Sequence, residues 1–319
     1  MSNHCEGKQI WDWVMNYRRR LRIDLQRLFV HNRPTNLPFI QNMLSYRHAF
    51  HAGNHADVLK HSILIYCLRH LLKKEKSFLY VDTHAGAGLY DLASEYAELR
   101  KEYAEGISIL REARDLPPIL QDYVDIVSGF NSGGGSSRYP GSPLIAKTLL
   151  RPKDQMRLHE LHTHDYEILS SHTSADPRVT LMNKDGLRGM IKAFPPPSRR
   201  ALALIDPPYE MKSDYELLPF AIDDALFKFA EAMILLWYPL IESGLHNPLL
   251  ENLGKLTVQK WLRVELRVRS PGKGLYGSGM WIANPPWDLP EAIRSIEQLL
   301  PELLGQDPRA VLKLDYQIP

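Results

Sequence analysis

Four short apolar runs, each closing on a carboxylate, constrain the fold of this chain more than any other feature. Residues 78–81 (FLYV) run into Asp82, residues 156–159 (MRLH) into Glu160, Val179–Met182 into Asp185 and Gly186, and Ala201–Ile205 into Asp206. One acid after a strand is an ordinary loop residue, but four in succession form a pattern. Stretches of helical composition separate the runs, so the pattern predicts a parallel sheet with helices between its strands. Residues 232–238 (AMILLWY) read as a fifth buried strand. Residues 261–268 and 277–283 flank Ser270-Pro271-Gly272-Lys273-Gly274 and read as a hairpin, hence antiparallel. The expectation is a Rossmann-like α/β fold: a seven-stranded, mostly parallel sheet with a terminal antiparallel hairpin. Residues 289–304 read as one closing amphipathic helix.

The fourth run stops abruptly at Asp206-Pro207-Pro208-Tyr209. Neither proline has an N–H for the ladder, and each fixes its own φ, so the strand cannot continue. Asp206 is therefore presented at the carboxyl end of a strand, the edge where open α/β sheets bind ligands. An acceptor, a rigid turn and an aromatic face suit a planar amino-bearing substrate such as a nucleobase. Asp206, Pro207, Pro208 and Tyr209 are the candidate catalytic set. A rival, Asn284-Pro285-Pro286-Trp287, follows the last strand of the hairpin. Five parallel strands and a terminal hairpin are the sheet of S-adenosylmethionine (AdoMet) methyltransferases. There the catalytic loop follows the fourth strand, so Asn284 is expected to be a structural turn or part of the pocket wall.

The first run leads into Asp82-Thr83-His84-Ala85-Gly86-Ala87-Gly88. Gly86 and Gly88, two apart after a strand, let the backbone approach a ligand closely. The third glycine of the dinucleotide fingerprint is missing, and a tight strand-to-helix turn explains the pair equally well. Residues 91–138 are helical in composition and charged, and they close on the flexible run 131–137 (NSGGGSS), which reads as the end of a small helical insert. Pro140-Gly141-Ser142-Pro143 opens a helix, with Ser142 expected at the N-cap and Pro143 at the first helical position. Upstream, Gly53 and Asn54 read as a turn before a long helix over residues 56–74. His48, His51, His55 and His61 lack the glutamate of H-E-x-x-H and any cysteine cluster. They are expected to make polar contacts around a ligand cleft, with no metal bound.

Residues 1–42 carry apolar positions at helical spacing and Arg18, Arg19, Arg20 and Arg22 on other faces. They read as a solvated amphipathic extension or as sequence upstream of a start at Met43, with a basic RNA-touching helix as the sharper alternative. Their charges exclude a signal peptide, and no apolar run is long enough to cross a bilayer. Cys5 and Cys67 are the only cysteines, which gives no disulfide framework and points to a reducing cytoplasm. A net charge of +2 allows nucleic acid without demanding it, so any such surface must be a local patch. Tyr46, Arg47, Lys60, Arg199, Arg200, Lys212 and Lys273 are its candidates, although each cation taken alone reads as a solvated side chain.

From Met43 onward the chain resembles the RlmJ family of 23S ribosomal RNA adenine-N6 methyltransferases. The resemblance is carried by MLSYRHAFHAGNHADVLKH, DTHAGAG, YPGSPLIA, ELHTHDY, KDG, SRRALALIDPPYEMK, LWYP and SGMWIANPPW. It implies a class I methyltransferase domain over residues 43–319 with a small helical insert, and it leaves residues 1–42 outside. It further implies that His61, His84, Ser142, Glu160, Asp185 and Gly186 contact AdoMet. Asp206 matches the catalytic residue, beside the cofactor, and Tyr46 matches a position that contacts the RNA. The expected partner is 23S ribosomal RNA, with the protein a cytoplasmic monomer. D/N-P-P-Y loops serve planar amino groups generally, so an adenine-N6 DNA or glutamine-N5 protein methyltransferase is the enzymatic alternative. An inactive RNA-binding protein that keeps the fold is the non-enzymatic one.

Overall fold

A computed structural model of the protein describes residues 50–133, 135 and 137–318. The expectations for residues 1–42, and for Tyr46, Arg47 and His48, lie outside the described residues. The described chain opens with helix α1 (His55–Leu72), strand β1 (Leu79–Asp82) and the short strand β2 (Leu89–Asp91). Helices α2 (Glu95–Arg100), α3 (Ile107–Glu112) and α4 (Pro118–Gly129) follow, with a 3-10 turn at Glu102–Glu105. Strand β3 (Arg138–Pro140) pairs antiparallel with β2, so a two-stranded ribbon brackets these helices. Then come α5 (Ser142–Leu149), β4 (Gln155–His159), α6 (Thr163–Thr173), β5 (Val179–Met182), α7 (Gly186–Ala193), β6 (Ala201–Ile205) and α8 (Lys212–Lys228). The last third holds β7 (Met233–Ile241), α9 (His246–Leu253), β8 (Trp261–Arg267), β9 (Leu275–Ala283), α10 (Leu289–Arg294), α11 (Leu299–Leu304) and β10 (Val311–Gln317).

The main sheet has the order β10-β8-β9-β7-β6-β1-β4-β5. Strands β5, β4, β1, β6 and β7 are parallel, and β9, β8 and β10 each pair antiparallel. The seven strands expected from sequence are present, and β10 extends them by an eighth. Its VLKLDYQ segment turns Leu312 inward and exposes Lys313, Asp315 and Gln317, a period-two alternation. The chain leaves β1 for β4 and β5 on one side and returns to β6 and β7 on the other. The crevice of such a sheet lies over the carboxyl ends of the two strands where the direction reverses. Those strands are β1 and β6, with Asp82 opposite Leu204, so Asp82 and Asp206 share that crevice.

Helix α1 is seated by its cap. The Asn54 side chain accepts from the Ala56 and Asp57 amides (2.9 and 3.0 Å). Nearly every residue of α1 is buried, as expected for a helix covered on all sides. Its core contribution (Leu59, Ile63, Leu64 and Leu68) joins α4, α5 and the closing helices on one face of the sheet. Helices α7, α8 and α9 cover the other. Each fully buried Leu or Ile contributes about 1.5–3 kcal/mol.

Two sequence expectations need correction here. The closing helix is two helices, α10 and α11, separated by turns. Pro301 lies in the second; a proline fits only near a helix start, so continuity with α10 is lost. The cap of α5 is Gly141, and Ser142 is the first helical residue. Its hydroxyl is engaged elsewhere.

Candidate active site

Asp206 leaves the end of β6 with its Oδ2 2.6 Å from Lys60 Nζ. Lys60, one turn inside α1, also lies 2.8 Å from Asp57 Oδ1. It is only 3 % exposed, so the expected surface contact to RNA is corrected: this ammonium is buried between two carboxylates. Burial alone would depress its pKa, but Asp206 and Asp57 outweigh burial and hold it above the ordinary lysine value. Asp57 in turn accepts from the Gly53 amide (2.8 Å), which fixes the turn before α1.

The prolines of the loop are buried (Pro207) and half-buried (Pro208). Tyr209 has φ +54°, a left-handed conformation that a non-glycine residue keeps only when its surroundings hold it. Here its phenol donates to the Trp237 carbonyl (2.6 Å), and its ring packs on Tyr215 and Trp237 with centroids 4.5 and 5.8 Å away. The Trp237 ring also lies 5.7 Å from Lys60 Nζ. Asp206, Lys60, Tyr209 and Trp237 therefore form one cluster at the carboxyl end of β6, beside the middle of β7.

On the β1 side, Asp82 is fully buried and accepts from the Tyr80 phenol and the Ser142 hydroxyl, both at 2.7 Å. Burial pushes its pKa up to about 6 against those two donations. Gly86 and Gly88 have φ of +61° and +79°, so the turn after β1 needs glycine at both places. The Gly86 amide donates to Glu160 Oε2 and the His162 amide to Oε1, each at 2.7 Å. Burial pushes the Glu160 carboxyl up to about 7 in spite of these bonds. Asp185 caps α7, its Oδ1 accepting from the Arg188 amide (3.1 Å). A β-carbon on the next residue, Gly186, would overlap the Thr83 carbonyl, so β5's loop is pressed against β1's. His84 Nδ1 lies 2.8 Å from the Thr83 hydroxyl. His61 Nδ1 is 2.8 Å from the Tyr139 phenol, which lies 3.0 Å from that of Tyr123.

The fold thus gathers His61, His84, Gly86, Gly88, Ser142, Glu160, Asp185, Gly186 and Asp206 onto the elements around one crevice. The acids stand at successive strand ends, and the glycine turn offers close backbone approach. Such a set fits AdoMet: Glu160 for ribose hydroxyls, Asp185 for an adenine amino group. Of the basic candidates, Lys212 and Lys273 are exposed after β6 and between β8 and β9, on the same edge. Arg199 and Arg200 precede β6 and lie on the opposite edge. Asn284 is there too, because Ala283 pairs with Ile234 at the start of β7. Its side chain donates to the Ala230 and Ala232 carbonyls (2.7 and 2.8 Å), a structural turn. His51 pairs with Glu102 at 2.8 Å, and burial lowers His55 to about 4. Among the described residues, no group of three His, Cys, Asp or Glu side chains could hold a metal ion.

Sequence reasoning missed the buried role of Lys60, the anchors Asp57 and Asp82, and the Tyr123–Tyr139 pair. Asp82 carried a signal as a strand-ending acid. Asp57 acts through the nearby Gly53 and Lys60, whereas Lys60 and the tyrosine pair depend on contacts across the chain.

This strand order, its antiparallel end and a D-P-P-Y loop at the switch point define a class I methyltransferase. The family model described as "Ribosomal RNA large subunit methyltransferase D, RlmJ" matches residues 75–317, and the chain belongs to that family. The chain is 45 % identical over 256 residues to "Ribosomal RNA large subunit methyltransferase J" of Escherichia coli K12, covering 80 % of this chain and 91 % of that one. It is 44 % identical over 271 residues to the Haemophilus influenzae protein of the same name, covering 82 % and 96 %. The crystal structure of protein LPL1258 from Legionella pneumophila superposes with a TM-score of 0.77 at 33 % identity, covering 84 % of this chain and 98 % of that one.

Proposed function

We propose that the chain transfers the methyl group of AdoMet to N6 of an adenine in 23S ribosomal RNA, in the cytoplasm where ribosomes are made. The observation that carries this reading is the Asp206 carboxylate, held by buried Lys60 at the switch point inside a D-P-P-Y loop. AdoMet supplies a methyl group on a sulfonium, which leaves as a neutral thioether. Glu160, Asp185 and the Gly86–Gly88 turn bind and orient the nucleoside part, and the α5 N-terminus faces the methionine carboxylate.

Adenine N6 is a poor nucleophile because its lone pair is delocalised into the ring. Lys60 occupies Asp206 Oδ2, which leaves Oδ1 to accept one N6–H; the Pro207 carbonyl accepts the other. Both acceptors favour a pyramidal nitrogen whose lone pair points at the methyl carbon. The new N–C bond gives N6 a positive charge, and it loses a proton to Asp206, which passes it to water. Tyr209, fixed by its bond to Trp237, is the face on which the flipped base stacks.

Asp206→Ala tests this reading. The variant is expected to bind AdoMet within a few-fold of the parent and to transfer no methyl to 23S ribosomal RNA. Near-normal turnover would overturn the assignment.

A further inference from the structure

The Asn284-Pro285-Pro286-Trp287 loop takes no part in the crevice, yet it holds an aromatic ring in the open. Trp287 is 74 % exposed. The loop beneath it is tied at both ends. Asn284 is bonded to the Ala230 and Ala232 carbonyls. Asp288 lies 2.9 Å from Lys73 Nζ and 3.6 Å from His70 Nδ1, and its carbonyl accepts from the Tyr66 phenol at 3.2 Å. Two prolines fix the backbone between these anchors. A ring mounted this way loses little freedom when another ring stacks on it.

The surface beside it is basic. Lys73 and Lys74 directly follow the last turn of α1, and Arg200 reaches the same helix end. Arg200 donates to the Leu71 carbonyl (2.6 Å) and to that of Lys76, so it ties the lysine-bearing loop to the edge of the sheet. Lys73 is spent on Asp288. Lys74 and Lys76 are exposed, and among the described residues no carboxylate pairs with either.

We propose that this face is a second RNA contact, in which an unpaired base stacks on Trp287 while neighbouring phosphates sit on Lys74 and Lys76. An exposed aromatic and two exposed lysines, on loops joined by the Lys73–Asp288 contact and with the intervening Glu75 paired to Lys153, are the chemistry that single-stranded nucleic acid requires: a stacking platform and charge for its backbone. The proposal rests on the reading of ribosomal RNA as substrate and goes beyond it, because the face lies across the sheet from the crevice. Arg200 and Asp206 bracket β6, about 20 Å apart at ~3.3 Å per residue. A stacked strand needs about six nucleotides, at ~3.4 Å each, to reach both. A short RNA confined to the target adenine touches only the crevice; a long one engages both edges.

Filter binding tests this with unmodified 23S ribosomal RNA and with an adenine-containing RNA of about five nucleotides, at several salt concentrations. Trp287→Ala is expected to lose about tenfold in affinity for the long RNA, the size of one lost stack. Lys74→Gln/Lys76→Gln should shallow the slope of log affinity against log salt by about 1.4, or ~0.7 for each phosphate contact. Binding of the short RNA and of AdoMet should be unchanged in both variants. Unchanged affinity for the long RNA, or an equal loss on the short one, overturns the proposal. If the parent protein binds 23S ribosomal RNA but transfers no methyl to it, the catalytic reading fails while the surface is still read by binding. If it does not bind that RNA, both fall.

Discussion

Lys60 Nζ and Asp206 Oδ2 lie 2.6 Å apart, although 146 residues separate them in the chain. The pair joins the first helix of the described chain to the loop after β6, and Asp57 completes it from one turn earlier in α1. Lys60→Met removes the cation and leaves two carboxylates facing each other. Loss of one partner from a buried pair costs about 3–5 kcal/mol, which urea unfolding would read. The loop also loses the contact that aims Asp206, so kcat should fall about 100-fold, the scale of an ångström-sized misplacement. AdoMet affinity should change little. A variant with normal kcat would show that Lys60 is structural alone.

Glu160 supplies a pH dependence. Its carboxyl is pushed up to about 7 by burial; in the proposed role as acceptor of the ribose hydroxyls, the ionised form binds the more strongly. AdoMet affinity should therefore fall roughly tenfold per pH unit below about 7 and level off above it. Glu160→Gln, weaker at every pH, should flatten that profile. The sign for folding is the opposite. A raised carboxyl pKa contributes stability below its unfolded value, and that contribution is lost as pH rises through about 7. Isothermal titration across pH 5.5–8.5 in both proteins checks the first effect, and thermal unfolding without AdoMet checks the second.

The Tyr123–Tyr139–His61 chain links the helices between β2 and β3 to α1. Tyr139→Phe removes the hydroxyl from its centre. The expected cost is about 1–3 kcal/mol for the polar atoms left unmatched. AdoMet should also bind several-fold more weakly, because His61 loses its fixed orientation. Equal affinity in parent and variant would mean that the network serves packing only.

Gly186 is a steric test of the crevice. A β-carbon there would strike the Thr83 carbonyl, so Gly186→Ala must push the β5 loop off the β1 loop. Overpacking of this kind costs about 1–3 kcal/mol. The displaced Asp185 should weaken AdoMet binding at least tenfold. Gly129→Ala, where a β-carbon meets nothing within 4 Å, is the control and should bind normally.

Much of this site was legible in sequence because it is local. An apolar run followed by an acid is a strand end, and Glu160, Asp185 and Asp206 announce themselves that way. Asp206-Pro207 could be ranked over Asn284-Pro285 by position along the chain, and the sheet places the two on opposite edges. Lys60 was not legible: a lysine on a helix is ordinarily solvated, and its burial is tolerable only because Asp206, far away in sequence, joins Asp57 beside it. Ser142 looked like a cap because serine before proline usually is one, but Asp82 draws its hydroxyl away. The β2–β3 ribbon is three residues per strand, too short to show a period. Strand β10 did carry its alternation and was readable.

Methyl transfer from tritiated AdoMet to unmodified 23S ribosomal RNA tests the central claim most directly. The RNA is digested to nucleosides and the label mapped. The account predicts N6-methyladenosine at a single position, and no label with Asp206→Ala. Label on another nucleoside, transfer to DNA or peptide in preference to the RNA, or no transfer at all would contradict it.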